Sequence, residues 1–140
     1  MRALRTAKLF SFVLCLVLFA GCGKSDPPGP STAPLTGKIV FTKGGTVKAL
    51  ADRQARIEFE SVDQPGTRAA GLIQEDGTFT AATVVETGGS QGAVPGKHRG
   101  RLMLDERDEK LIHPQFLTYE KSGISVQVPS NQPIEIKVWR

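Results

Sequence analysis

Four groups of side chains in this sequence could do chemistry: two cysteines, two histidines, a run of carboxylates and a short basic face. His98 and His113 are the candidate acid–base groups, yet neither stands at a recognisable spacing from a second ligand or a nucleophilic serine. Scattered serines with two histidines occur in almost any chain of this size, so ordinary strand and loop roles are expected for both. Asp105-Glu106-Arg107-Asp108-Glu109-Lys110 gathers four carboxylates in six positions. Calcium needs about 6 to 8 oxygen ligands in a shaped loop, and Arg107 and Lys110 already offset half of this charge, so a solvated polar loop is expected instead. The glycine-rich stretch Thr87 to Gly92 lacks the Lys-Ser/Thr of a phosphate loop and reads as a turn. Lys97, Arg99 and Arg101 alternate, which places all three on one strand face over about 14 Å. Such a face suits an anionic polymer. The competing expectation is a solvent-facing strand whose charges pair with Glu58 or Glu60 next to it.

The cysteines belong to a different argument. Arg2, Arg5 and Lys8 precede Leu9 to Ala20, an apolar run of twelve residues broken only by Ser11; this is the basic and apolar order of an export signal. The uncharged stretch from Leu9 to Gly23 would extend about 22 Å as a helix, short of a hydrocarbon core of about 30 Å. It is too short to span, and cleavage is expected. Ala20 and Gly21 are small enough for a peptidase cleft and the next residue is Cys22. The stretch Leu18-Phe19-Ala20-Gly21-Cys22 resembles the lipobox of bacterial lipoproteins, with Phe19 where leucine is commonest. The resemblance implies a diacylglycerol thioether on the Cys22 sulfur, cleavage before Cys22, and acylation of the new amine with a fatty acid such as palmitate. Gly23 is not the aspartate that retains many such proteins in an inner membrane. The implied location is therefore a bacterial membrane on the periplasmic face, or the outer membrane. Two or more acyl chains, at about 0.8 kcal/mol per buried CH₂, hold a bilayer firmly.

Processing would change the composition. Three of the 18 Lys and Arg lie in the signal, so 15 would face 14 Asp and Glu. The basic balance is then no argument for nucleic-acid binding, and no nucleic-acid partner is expected. Cys15 would be discarded and Cys22 lipidated, which leaves no thiol for a disulfide, a metal or a nucleophile. No cofactor and no metal are expected. Residues 22–35 hold Pro27, Pro28, Pro30 and Pro34, four of the nine prolines, and read as an extended flexible linker.

Residues 36–140 are long enough for one domain with its own core, and the recurring signal is period two. Leu35, Gly37, Ile39 and Phe41 alternate with Thr36, Lys38, Val40 and Thr42, and Ala55, Ile57 and Phe59 alternate with Arg56, Glu58 and Glu60. Further strands are expected at Arg68 to Gln74, at Thr78 to Val85 with Phe79, Ala81 and Val85 inward, at His98 to Asp105, at Ile124 to Val128 and at Ile134 to Trp139. Asp76-Gly77 supplies a tight turn, and Ser130-Asn131-Gln132-Pro133 predicts a C-terminal hairpin. No window shows sustained helical periodicity. Seven short strands between turn signals predict an all-β fold, a seven-stranded antiparallel β-sandwich of transthyretin-like or Ig-like form. Residues Glu106 to Ser122 form a long loop whose Leu111, Ile112, Phe116, Leu117 and Tyr119 are expected to fold back as a core plug. Trp139 could stack on a sugar, but a packing role is expected.

The ordered landmarks Thr36 to Phe41, Ala55 to Phe59, Asp76-Gly77-Thr78-Phe79, Gly92-Ala93-Val94-Pro95-Gly96-Lys97-His98-Arg99 and Ser122 to Val128 together resemble the small bacterial lipoproteins built on a carboxypeptidase regulatory-like domain, a transthyretin-like sandwich. The resemblance implies a fold and no activity. The enzymatic transthyretin-like branch, the hydroxyisourate hydrolases, ends in a Tyr-Arg-Gly-Ser tail. This sequence ends Ile136-Lys137-Val138-Trp139-Arg140, so no catalytic residue is assigned. The expected protein comprises a signal peptide at 1–21, a lipidated linker at 22–35 and a domain at 36–140. It is read as non-enzymatic, anchored to the membrane through Cys22, and in contact with an envelope protein or polysaccharide, with Lys97, Arg99 and Arg101 as the candidate polymer contact. The alternative is a small hydrolase with an unrecognised site.

Overall fold

The computed structural model describes residues 31–83 and 90–140. Cys22, the export signal, most of the linker, Val85 and the turn at Thr87 to Gly89 lie outside the described residues. The fold is mostly β: β1 (Leu35–Lys43), β2 (Arg56–Ser61), β3 (Arg68–Leu72), β4 (Thr78–Thr83), the two-residue β5 (Ser90–Gln91), β6 (Gly96–Met103), β7 (Ser125–Val128) and β8 (Ile134–Trp139). They join in the ladder order β7-β6-β2-β3-β4-β1-β8, with β5 beside β4. The sheet curls until its two end strands line a common groove.

Two expectations need correction. The sheet is mixed, because β1 and β8 run parallel, Gly37 opposite Ile134 and Ile39 opposite Ile136. Parallel neighbours need a long connection, and here the connection is nearly the whole domain. β7 and β8 also form no hairpin: β7 pairs with β6 and β8 with β1, at opposite ends of the ladder. Pro129 and Pro133 bracket their connection, and neither has an N–H to give a ladder.

The alternating residues supply the core as their spacing predicts. Leu35, Ile39, Ile57, Phe59, Phe79, Ala81, Leu102, Val126, Val128, Ile136 and Val138 all face inward and are buried. Phe79 lies over Gly37, where an added Cβ would come within 2.5 Å of the ring, so the glycine leaves room for the aromatic. Before β4, Gly77 takes φ +88° and Asp76 Oδ1 accepts from the Thr78 N–H at 2.9 Å and hydroxyl at 2.7 Å. Those bonds hold the Asp76 carboxyl below the ordinary range.

Among the described residues one α-helix interrupts the strands. α1 (Val47–Asp52) begins at Thr46, whose hydroxyl oxygen accepts from the Ala49 N–H at 3.3 Å, and it buries Leu50 against the core. Six residues are too few to show a helical period in sequence. The long loop carries two 3-10 helices, Glu106–Leu111 and Pro114–Leu117, and plugs the core with Leu111, Ile112, Phe116 and Leu117 as expected, whereas Tyr119 lies against Arg99 and Arg101 instead of joining the core. Ile112 and Phe116 are each 2% exposed, and Trp139 meets Phe116 edge to face at 4.7 Å.

Candidate interaction face

β6 and β2 pair antiparallel with Glu58 opposite Arg101 and Glu60 opposite Arg99, while β3 sets Arg68 opposite Glu60. Outward positions on three adjacent strands therefore bring the charges of the basic face onto two carboxylates. Arg99 Nη2 donates to Glu60 Oε2 at 2.7 Å, and Arg101 Nη2 lies 2.8 Å from Glu58 Oε1. Arg68 stands 3.6 Å from Glu60 on the other side, and Arg99 reaches Glu120 at 3.4 Å.

From the plug, Tyr119 closes over this row. Both guanidinium groups stand over its ring, Arg101 at 4.8 Å and Arg99 at 5.2 Å from the centroid, in cation–π contact. Its hydroxyl donates to Glu58 Oε1 at 2.5 Å. Covered in this way, Glu58 and Glu60 are only 8% and 6% exposed, although strand alternation puts them on the outer side. The hydrogen bond from Arg99, chiefly, holds Glu60 below the usual carboxylate range against the opposing effect of burial. Burial first, and then the bond to Glu58, pushes the Tyr119 hydroxyl well above its ordinary value.

Three arginines and three glutamates thus meet in one neutral cluster. Arg99 and Arg101 are brought together as their spacing predicts, but as partners of Glu60 and Glu58. Lys97, opposite Gln127 in the register, is exposed and makes no ion pair among the described residues. Cys22 lies outside those residues. His98 is 1% exposed, with Nδ1 beside the Gly96 carbonyl at 3.2 Å. His113 is exposed and caps the second 3-10 helix, its Nδ1 accepting from the Gln115 N–H. Of the carboxylate run, Asp108 turns inward to Arg53 at 3.6 Å and Asp105 holds Arg107 at 3.3 Å.

Beyond the neutral cluster the same face continues into a row with a different character. Arg56 lies between Leu72 of β3 and Met103 of β6. Leu72 is 44% and Met103 38% exposed, and Arg56 makes no ion pair among the described residues. A groove of about 680 Å³ adjoins this row between β3 and β4, lined by Arg56, Ala70, Leu72, Gln74, Thr78 and Thr80. Sequence alternation carried a signal for the outward Arg56, but the apolar neighbours that the register sets beside it are 16 and 47 positions away. The residue sequence reasoning missed in the cluster is Tyr119, whose loop position has no period to reveal it. Searches against protein-family models, characterised proteins and solved structures return no match to this chain.

Proposed function

We propose that this chain is a lipid-anchored bacterial envelope protein whose domain is a non-enzymatic interaction module for another envelope protein or a polysaccharide. The observation that carries the reading is the order basic, apolar, small, cysteine at Arg2 to Cys22, followed directly by a proline-rich linker. On this reading Cys22 is alkylated and becomes the membrane attachment, with the domain held off the periplasmic or outer-membrane surface. The finer fold is a transthyretin-like sandwich of the carboxypeptidase regulatory-like kind, supported by the landmark residues and by the strands found at those landmarks.

On this reading contact would be made at the two ends of the outer face. Arg99 and Arg101 are occupied by Glu60 and Glu58, so the exposed cations of this face are Lys97 and Arg56 at its two ends. The Arg56, Leu72 and Met103 row, with a groove beside it, combines a cation, two exposed apolar side chains and hydroxyl groups. That mixture suits a protein partner or a glycan. Cys22→Ala should abolish incorporation of a fatty-acid probe and leave the precursor uncut in the producing bacterium. Unchanged labelling would overturn the anchor.

A further inference from the structure

Among the described residues β8 has one paired edge and one open edge, and hydrogen bonds fix which residues face which. The Arg140 N–H donates to the Lys43 carbonyl at 3.1 Å and the Thr42 hydroxyl to the Val138 carbonyl at 3.2 Å, so the even-numbered residues of β8 turn their backbone groups toward β1. Backbone groups alternate sides along a strand, so Glu135, Lys137 and Trp139 turn theirs to the open edge. The Trp139 carbonyl accepts there from the His113 N–H at 2.8 Å, which closes that end. Among the described residues no hydrogen bond reaches the open-edge backbone of Glu135 or Lys137. Pro133, next on the same edge, has no N–H to leave unpaired. A groove of about 400 Å³ runs beside this edge, lined by Ile134 to Lys137 of β8, by Ser125 and Val126 of β7 and by Gln115 and Phe116 of the plug.

Natural edge strands carry charges that discourage pairing, and a lone lysine would repel a second copy of itself. β8 instead carries Glu135 and Lys137 side by side on its outer face, 3.7 Å apart and both exposed. This couplet is the complement of its own reverse. An antiparallel second copy with its two-fold axis at Ile136 sets Glu135 opposite the second copy's Lys137, and Lys137 opposite its Glu135. The same register sets edge-facing residues opposite each other, as a hydrogen-bonded pair requires. Centring on Glu135 or on Lys137 opposes like charges instead. Centring between residues opposes an edge-facing residue with one turned toward β1.

We propose that the open edge of β8 is a docking edge for a second copy of this chain, in an antiparallel β8–β8 ladder about a two-fold axis at Ile136. Glu135 and Lys137 of each copy donate and accept across it, and their side chains form two reciprocal ion pairs. Such an interface is small, and self-association on the order of 100 μM is expected.

The test uses the full chain in nonionic detergent, with equal amounts of ¹⁴N- and ¹⁵N-labelled protein. A zero-length carbodiimide joins a lysine amine to a carboxylate it touches, so mass spectrometry should find Lys137 of one isotope bonded to Glu135 of the other. Bonds only within one isotope would overturn the proposal. In sedimentation equilibrium, Glu135→Lys or Lys137→Glu alone should weaken dimerisation about tenfold, since each turns both cross-strand pairs repulsive. The double reversal Glu135→Lys/Lys137→Glu restores complementarity and should restore the dimer, which also shows that the charges, and not misfolding, were at work. A monomer at every concentration up to about 1 mM, or a dimer indifferent to the single reversals, refutes it.

Discussion

Tyr119 holds the plug to the sheet by two different interactions, and two substitutions separate them. Tyr119→Phe removes the hydroxyl that donates to Glu58 Oε1 and leaves the ring beneath Arg99 and Arg101. Glu58 keeps Arg101, whose Nε and Nη2 lie 2.9 and 2.8 Å from the same oxygen, so the loss should fall at the low end for a bond to a charged group, about 1.5 kcal/mol. Tyr119→Ala also removes both cation–π contacts, each worth about 0.5 to 1 kcal/mol at a partly exposed site, for a total of about 3 kcal/mol. Urea unfolding at pH 7, with a slope of about 1.5 kcal/mol/M, should therefore lower the midpoint by about 1 M for the phenylalanine variant and about 2 M for the alanine variant. Glu58→Gln combined with Tyr119→Phe should cost less than the sum of the two singles, because both act on one bond. A neutral Tyr119→Phe refutes the hydroxyl's role, equal costs for Phe and Ala refute the stacking, and strict additivity with Glu58→Gln refutes the pairing.

Two further outcomes are expected. Phe79 is 2% exposed, with its ring 5.8 Å from that of Phe59, so Phe79→Ala should cost about 3 to 5 kcal/mol in the same assay; a near-neutral result would mean that the β4 register is wrong. Glu60 has a carboxyl lowered from its ordinary 4.5 in the folded state, so its contribution to stability is complete above that pH and is lost as pH falls through the folded value. The urea midpoint should decline below about pH 4.5, and Glu60→Gln should flatten that part of the profile; an identical slope in the variant refutes the linkage.

Strand positions were legible because alternation is a local signal. Leu35, Ile39, Ile57, Phe59, Phe79, Ala81, Ile136 and Val138 face inward as their spacing predicts. Pairing was less legible. Ile124 to Val128 and Ile134 to Trp139 are neighbours in sequence with turn residues between them, which favours a hairpin locally. The ladder instead gives each a more distant partner, and the choice rests on core contacts that no local window contains. α1 escaped notice because six residues with one buried leucine carry no period. In the candidate face, alternation told which side Glu58 and Glu60 occupy but not what covers them. Burial of those carboxylates depends on Arg99, Arg101 and Tyr119, between 39 and 61 positions along the chain.

That cover also bears on the proposed polymer contact. A linear polyanion gains affinity from cations in an unbroken row, each able to meet a negative group. Arg99 and Arg101 already share buried carboxylates, and freeing them would strand Glu58 and Glu60 without their nearest partners, a loss several times that of an exposed ion pair. The cations left over are Lys97 and Arg56, and Met103, which faces Arg56, stands six positions from Lys97 along β6, about 20 Å away. Two charges so separated, with a neutral cluster between them, do not form a polyanion track. Arg56, flanked by exposed Leu72 and Met103 and bordering a groove, instead has the mixed apolar and cationic surroundings of a compact partner contact. On the proposed reading, contact is therefore expected at the Arg56 end of β2 and not at the middle of β6, where the sequence concentrates its positive charge.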